Sequence, residues 1–258
     1  MLTRCFALLY GAACYLVFLA VFVYAIGFIG GILTPTLLDG VPTRPLWQAL
    51  LVDLGLLTAF SLQHSGMARP GFKRWWTRLV PEWAERSTYV LLSSLAMIAL
   101  FAYWEPIGGV IWSATSTPLY AIVASLYAIG WLVLLYTTFL IDHFDLFGLA
   151  QVWHRWTGKT PRPPQFHTPS LYRHVRHPLY VGWLMIFWAA PTMTVAHLVF
   201  ALATTAYILL AIPLEERDLI ATFGERYIQY RRTTPKLIPR LSSRNRPISV
   251  TRGQSTQW

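Results

Sequence analysis

Two clusters of polar residues flank the last long apolar stretch of the chain. The first, Tyr172-Arg173-His174-Val175-Arg176-His177-Pro178-Leu179-Tyr180-Val181-Gly182, combines cations, imidazoles and two phenols where that stretch begins. The second, Glu215-Glu216-Arg217-Asp218, holds three of the chain's eleven acids within four residues where it ends. Each has a plain structural explanation. Basic residues form a collar at a membrane surface, Pro178 suits the first turn of a helix, and acids just after Pro213 complement a helix N-terminus. A helical hairpin between them would return both clusters to one surface, where carboxylates near a bilayer need partners. Opposite charges joined in this way could also hold a zwitterionic ligand.

The elements that position these clusters follow from composition. Of 258 residues, 55% are hydrophobic and only 12% charged, with mean hydropathy +0.45. A soluble domain carries roughly twice that charged fraction. Apolar runs at 5–33, 47–66, 87–104 and 118–141 are long enough to cross about 30 Å of hydrocarbon. A further run, 178–212, is too long for one crossing and is interrupted at Pro191-Thr192-Met193-Thr194, which predicts two shorter helices in a hairpin. The expected fold is therefore an all-α polytopic membrane helix bundle of about six spans.

Charge placement sets the topology. The net charge of +10 is carried by 21 Lys and Arg: one at Arg4, five in 67–86, five in 142–177 and nine in 213–258. The alternate segments hold only Arg44. The positive-inside rule then puts both termini in the cytoplasm, as for an integral protein of a bacterial inner membrane. The basic balance reads as topology rather than as nucleic-acid binding. The first apolar run exceeds a signal peptide's core and reads as a retained anchor. Cys5 and Cys14 cannot face each other on one helix and read as small packing residues.

Three basic segments separate the spans. Lys73-Arg74-Trp75-Trp76-Thr77-Arg78 mixes cations and aromatics suited to the headgroup layer. The segment 142–177 contains Pro161, Pro163, Pro164 and Pro169, which disfavour a continuous helix, and its length suits a functional loop or lid. From Pro213, the helical spacing of Leu219, Phe223, Tyr227 and Tyr230 predicts an amphipathic helix closed by Pro235 and Pro239. The polar remainder, 241–258, reads as a disordered tail. This divides the chain into a four-span bundle over 1–141, a ligand-binding loop, hairpin and amphipathic helix over 142–240, and the tail. The segments 34–46 and 105–117 read as short outer loops of little chemical interest. The sequence contains no 20–50-residue repeat, Walker loop, GxGxxG or CxxC pair. His174 and His177 lack a Glu or Cys that would complete a metal pattern, so no metal site is expected.

Arg176-His177-Pro178-x-Tyr180-x-Gly182, followed by Glu215-Glu216-x-x-Leu219-x-x-x-Phe223-Gly224-x-x-Tyr227-x-x-Tyr230 and then Ile238-Pro239, resembles the isoprenylcysteine carboxyl methyltransferase superfamily. The resemblance implies an S-adenosylmethionine pocket contacted by Tyr172, Arg176, His177, Pro178, Tyr180, Glu215 and Glu216. Upstream, Gln63-His64-Ser65-x-Met67-Ala68-Arg69 and Glu85-Arg86-Ser87-Thr88-Tyr89 resemble membrane proteins of the NnrU type. With Asp142-His143-Phe144-Asp145-Leu146-Phe147-Gly148-Leu149, the span of roughly 5–239 is most similar to the methanethiol S-methyltransferases. That family converts methanethiol to dimethyl sulfide with S-adenosylmethionine.

Such chemistry makes definite demands. A sulfonium and a thiolate lose their charges as the methyl group moves, so a dry pocket helps. The reacting atoms must lie in line at about 3–3.5 Å, and rings such as Tyr180 or Tyr227 can face the sulfonium. Only the thiolate is a strong nucleophile, so the thiol proton needs an acceptor or a positive environment. His64 leads, with His143 and Asp145 as rival or supporting groups; a histidine hydrogen-bonded within the bundle is the competing explanation for His64. Asp53, eleven residues before His64, lies too far along the helix to orient it and reads as an interhelical contact, while His197 reads as structural. The expected partners are a small thiol and the lipid bilayer. Hydrogen sulfide or isoprenylcysteine as acceptor, a nicotinamide-dependent membrane reductase, and a non-catalytic NnrU-like protein are the alternatives.

Overall fold

The computed structural model describes residues 1–160, 163 and 165–240; the expected tail, Pro161 and Pro164 lie outside them. The apolar runs fold as α1 (Leu2–Gly30), α2 (Leu46–Ala68), α4 (Glu82–Tyr103), α5 (Thr117–Ile141) and α9 (Val195–Phe223), all long and apolar enough to cross a membrane. Shorter helices complete the set: α3 (Pro70–Trp76), α6 (His143–Leu146), α7 (Leu149–Thr157), α8 (Pro178–Trp188) and α10 (Glu225–Thr233). The protein is an all-α membrane bundle. Leu16, Val23, Leu51, Leu62, Leu132 and Leu210 are 64–72% exposed, an apolar exterior that suits lipid rather than water.

The interior is aromatic. Phe28, Phe101, Trp104, Trp131, Phe187 and Phe200 meet in one buried cluster with Leu100, Leu134, Ile186 and Ile212. Helix α1 packs on α4 and α7, α2 on α4 and α9, and α8 on both α5 and α9. The α5–α8 contact is made by backbones. A Cβ on Gly182 would lie 2.9 Å from the Leu134 nitrogen and 3.0 Å from the Gly130 carbonyl oxygen, so these glycines let the two helices touch.

Two expectations need correction. The hairpin is asymmetric, not a pair of short helices: α8 has 11 residues and α9 has 29. At 1.5 Å per residue, α8 extends about 16 Å and α9 about 43 Å. Nor does an amphipathic helix begin at Pro213. Helix α9 runs through that proline to Phe223, and the break falls at Gly224, where φ is +59° and the chain turns into α10. Pro213 removes one donor from the helical ladder, a cost of about 3 kcal/mol or more. Beyond it, Glu216 and Asp218 are tied by ion pairs to Arg176 and Arg69, which holds the continuation helical.

The outer segments also hold more structure than loops. Val110–Ser113 (β1) pairs antiparallel with Thr192–Thr194 (β2), in register Val110↔Thr194, Trp112↔Met193 and Ser113↔Thr192. His197 closes this end of the bundle, with Nε2 3.1 Å from the Phe187 carbonyl oxygen and Nδ1 3.4 Å from Asp39. Asp53 is fully buried and accepts the Glu105 backbone N–H at 2.9 Å, the interhelical role its sequence position suggested.

Candidate active site

Pro178 opens α8, and His177 is its N-cap residue. The chain leading into it is clamped by backbone hydrogen bonds: Arg176 N–H donates to the Pro235 oxygen at 2.9 Å and His177 N–H to the Lys236 oxygen at 3.1 Å. The Tyr230 hydroxyl, on α10, donates to the Tyr172 carbonyl at 2.5 Å. The segment after α9 therefore folds back over the basic junction and holds it against the bundle.

This brings the basic and acidic clusters together. Arg176 Nη2 lies 2.7 Å from Glu216 Oε1, and Arg176 Nε donates to the same oxygen at 2.9 Å. His177 Nε2 is 3.1 Å from it. Arg176 Nη1 donates to the carbonyls of Arg231 and Thr234. Both Arg176 and Glu216 are buried, so each serves the other more than it serves solvent. The next carboxylate differs: the Glu215 side chain is 42% exposed, accepts the Tyr180 hydroxyl at 3.0 Å and lies 3.7 Å from His177 Nδ1. Burial first, then the Glu215 charge, push the Tyr172 phenol well above its ordinary pKa.

Aromatic residues surround these charges. The Tyr227 hydroxyl is buried beside the Arg176 guanidinium, which faces it, but makes no well-aligned hydrogen bond among the described residues. Phe166, from the proline-containing loop, contacts Phe223, Tyr227 and Tyr230 at ring-centroid distances of 5.4, 6.0 and 5.5 Å. With Gln165, Thr222 and Arg226, Phe166 and Phe223 line an open cleft of about 550 Å³. Nothing in the sequence singled out Phe166; its partners come from segments more than fifty positions away.

The three candidate proton acceptors occupy separate surroundings and share no hydrogen-bond partner among the described residues. His64, at the end of α2, stacks on Phe60 with centroids 5.3 Å apart and lies 3.1 Å from the Tyr89 hydroxyl. His143 is buried, with Nε2 2.7 Å from the Tyr15 hydroxyl and Nδ1 2.8 Å from Thr138 Oγ1. Its ring stacks on Phe139 at 4.3 Å. Asp145 accepts Gln151 Nε2 at 3.0 Å in an exposed turn.

Comparison with known proteins identifies the lineage. Over 238 residues, 92% of this chain and 93% of the relative, the sequence is 56% identical to methanethiol S-methyltransferase from Crocosphaera subtropica. It is 48% identical over 236 residues to methanethiol S-methyltransferase from Mycobacterium tuberculosis, covering 92% and 97% of the two chains.

The chain belongs to the methanethiol S-methyltransferase family.

Outside the methanethiol S-methyltransferases, nurim from Bos taurus is 36% identical over 191 residues, 67% of this chain and 70% of its own. No family model matches the chain, and no solved structure matches it. The methanethiol S-methyltransferase relatives cover the α8–α10 region and the bundle alike, since alignment over 92% of this chain leaves few residues unmatched.

Proposed function

We propose that this protein methylates a small thiol, methanethiol being the first choice, with S-adenosylmethionine as donor and dimethyl sulfide as product. The observation carrying this reading is the 56% identity to a methanethiol S-methyltransferase across nearly the whole of both chains. The side chains where the start of α8 meets the C-terminal part of α9 suit the donor. A zwitterion bearing a sulfonium needs a carboxylate open to it, aromatic faces and a polar partner in a dry place. Glu215 is such a carboxylate, Tyr172, Tyr180 and Tyr227 supply rings, and the unpartnered Tyr227 hydroxyl supplies a donor or acceptor.

S-Adenosylmethionine, when bound, supplies an electrophilic methyl group on sulfur. Arg176, His177 and Glu216 form the frame that fixes Glu215 and the start of α8 around Pro178. Glu215, held by Tyr180, attracts the donor's positive charge; cation–π contact with a ring adds about 0.5–2 kcal/mol. His64 accepts the proton: it stands on α2 where that helix packs against α9, which carries Glu215, whereas His143 packs against Tyr15 and Thr138 on α1 and α5 and Asp145 faces solvent. The excess of basic residues at this end orients it toward the cytoplasm of a bacterial inner membrane.

Calorimetric titration with S-adenosylmethionine tests the donor site. Binding should be micromolar-range or tighter in the natural protein and at least tenfold weaker in Glu215→Gln. Equal affinity in both proteins would remove Glu215 from the site.

A further inference from the structure

The donor site leaves two upstream motifs unused, Gln63-His64-Ser65-x-Met67-Ala68-Arg69 and Glu85-Arg86-Ser87-Thr88-Tyr89. They occupy the last turns of α2 and the first turns of α4, and their side chains meet. The Tyr89 hydroxyl lies 3.1 Å from each ring nitrogen of His64, and Ser93 Oγ lies 3.2 Å from Nδ1. The Arg86 guanidinium sits 5.3 Å from the Tyr89 ring centroid and is fixed by its Nε donating to the Leu146 carbonyl at 2.9 Å. A cation, a phenol and an imidazole therefore stand in sequence.

Helix α9 closes the third side. The hydroxyls of Ser65 and Tyr207 are 2.9 Å apart, and Arg69 Nη1 lies 2.7 Å from Asp218 Oδ2. Glu215 falls between these two ties on α9, eight positions after Tyr207 and three before Asp218, so the seam runs up to the donor site. Gln63 Oε1 is buried in it and has no hydrogen-bond partner among the described residues, although Gln63 Nε2 donates to Met67 Sδ at 3.2 Å. Lys73 on α3 adds a further cation, and its ammonium is held below the ordinary lysine value by burial and then by Arg86. Helices in a bilayer pack well through apolar and small residues. A polar seam with an orphaned carbonyl oxygen is expensive by comparison and marks a place for a polar ligand.

We propose that this seam is the acceptor site, a pocket for a small alkyl thiol in which His64 is the catalytic base, Tyr89 its positioning residue, and Arg69 and Arg86 the cations that favour the thiolate. The proposal rests on the methyl-transfer reading and assigns the other half of the same reaction. The thiol S–H bond breaks and its proton passes to a ring nitrogen of His64. The sulfur electron pair forms the new S–C bond, and the donor's C–S bond breaks with its electron pair remaining on the donor sulfur. Neighbouring cations lower the pKa of a thiol and also that of an imidazole, so His64 relays the proton to solvent rather than keeping it. Ser93 and Tyr89 hold the ring, and the thiol takes the place of one of these hydroxyls at the nitrogen that accepts its proton.

The experiment uses the full-length protein in detergent, methyl-labelled S-adenosylmethionine and either methanethiol or the more acidic thiophenol. Rates are followed across pH for His64→Asn and for the conservative Tyr89→Phe. Both variants should bind S-adenosylmethionine within about twofold of the natural protein and lose methanethiol turnover, about 100-fold for His64→Asn. The loss should shrink as pH rises and should be smaller with thiophenol, which ionises without help. Natural rates in both variants, or a loss independent of pH and acceptor, would overturn the acceptor site while leaving the methyl-transfer reading intact. A natural protein that binds S-adenosylmethionine but methylates neither thiol would overturn both.

Discussion

Arg176 and Glu216, 40 residues apart in the chain, meet as a buried ion pair with Nη2 2.7 Å from Oε1. The adjacent Glu215 stays 42% exposed. Consecutive carboxylates on one helix thus differ: one locks α9 to the start of α8, and the other stays open, the carboxylate proposed to face the donor. Their position follows from length. Twenty residues of helix separate Val195 from Glu215, about 30 Å, so the acids emerge where the hydrocarbon ends.

Substitution should separate these roles. Arg176→Ala leaves Glu216 buried beside His177 alone and should cost about 3–5 kcal/mol, seen as a large drop in thermal midpoint in detergent. Glu215→Gln should leave the midpoint within a few degrees while weakening donor binding. A stable Arg176→Ala protein would show that the pair is not the lock.

Tyr227→Phe removes a buried hydroxyl that satisfies no partner among the described residues. Stability should hold or rise slightly, because an unmade hydrogen bond is lost with its cost. Donor affinity should nevertheless fall several-fold if that hydroxyl serves the ligand. Titration and thermal unfolding on one sample check both halves.

His143 predicts a pH effect on stability. Burial, the dominant influence, pushes its pKa below the ordinary 6.5, with Asp142 opposing. The folded state therefore holds fewer protons here than the unfolded chain, and stability rises with pH. The contribution is complete above 6.5 and is lost as pH falls through the lower folded value. His143→Asn should flatten the thermal midpoint across about pH 5–7 without weakening donor binding. An unchanged slope would count against this account of His143.

Much of this architecture was legible beforehand. Apolar runs and charge asymmetry mark the long helices, because a bilayer imposes length and polarity on every span. Pairing of the 172–182 and 215–218 clusters followed from a hairpin having both ends on one side. That residues after Pro213 are helical was legible, but their continuity with α9 was hidden, since local rules start a new helix at Pro213 and the ties of Glu216 and Asp218 to Arg176 and Arg69 are distant in sequence. The outer β ribbon was hidden too, because pairing of Val110–Ser113 with Thr192–Thr194 leaves no periodic signal in such short segments. Phe166 and Tyr207 carry no local mark of function, and Tyr89 is marked only as the last residue of the 85–89 motif. Their roles arise from neighbours on other helices.

The α5–α8 contact offers a packing test. Gly182→Leu forces a side chain against the backbone of Leu134 and Gly130 and should destabilise by about 1–3 kcal/mol or more. Because α8 begins at the junction, donor binding should weaken in parallel. Destabilisation without loss of binding would show the junction to be anchored by α9 and α10 alone.

Headspace detection of labelled dimethyl sulfide from purified protein, methyl-labelled S-adenosylmethionine and methanethiol tests the central claim most directly. The account predicts labelled product from the natural protein and its near-absence with Glu215→Gln. Folded natural protein that forms no dimethyl sulfide under saturating donor and thiol would contradict it.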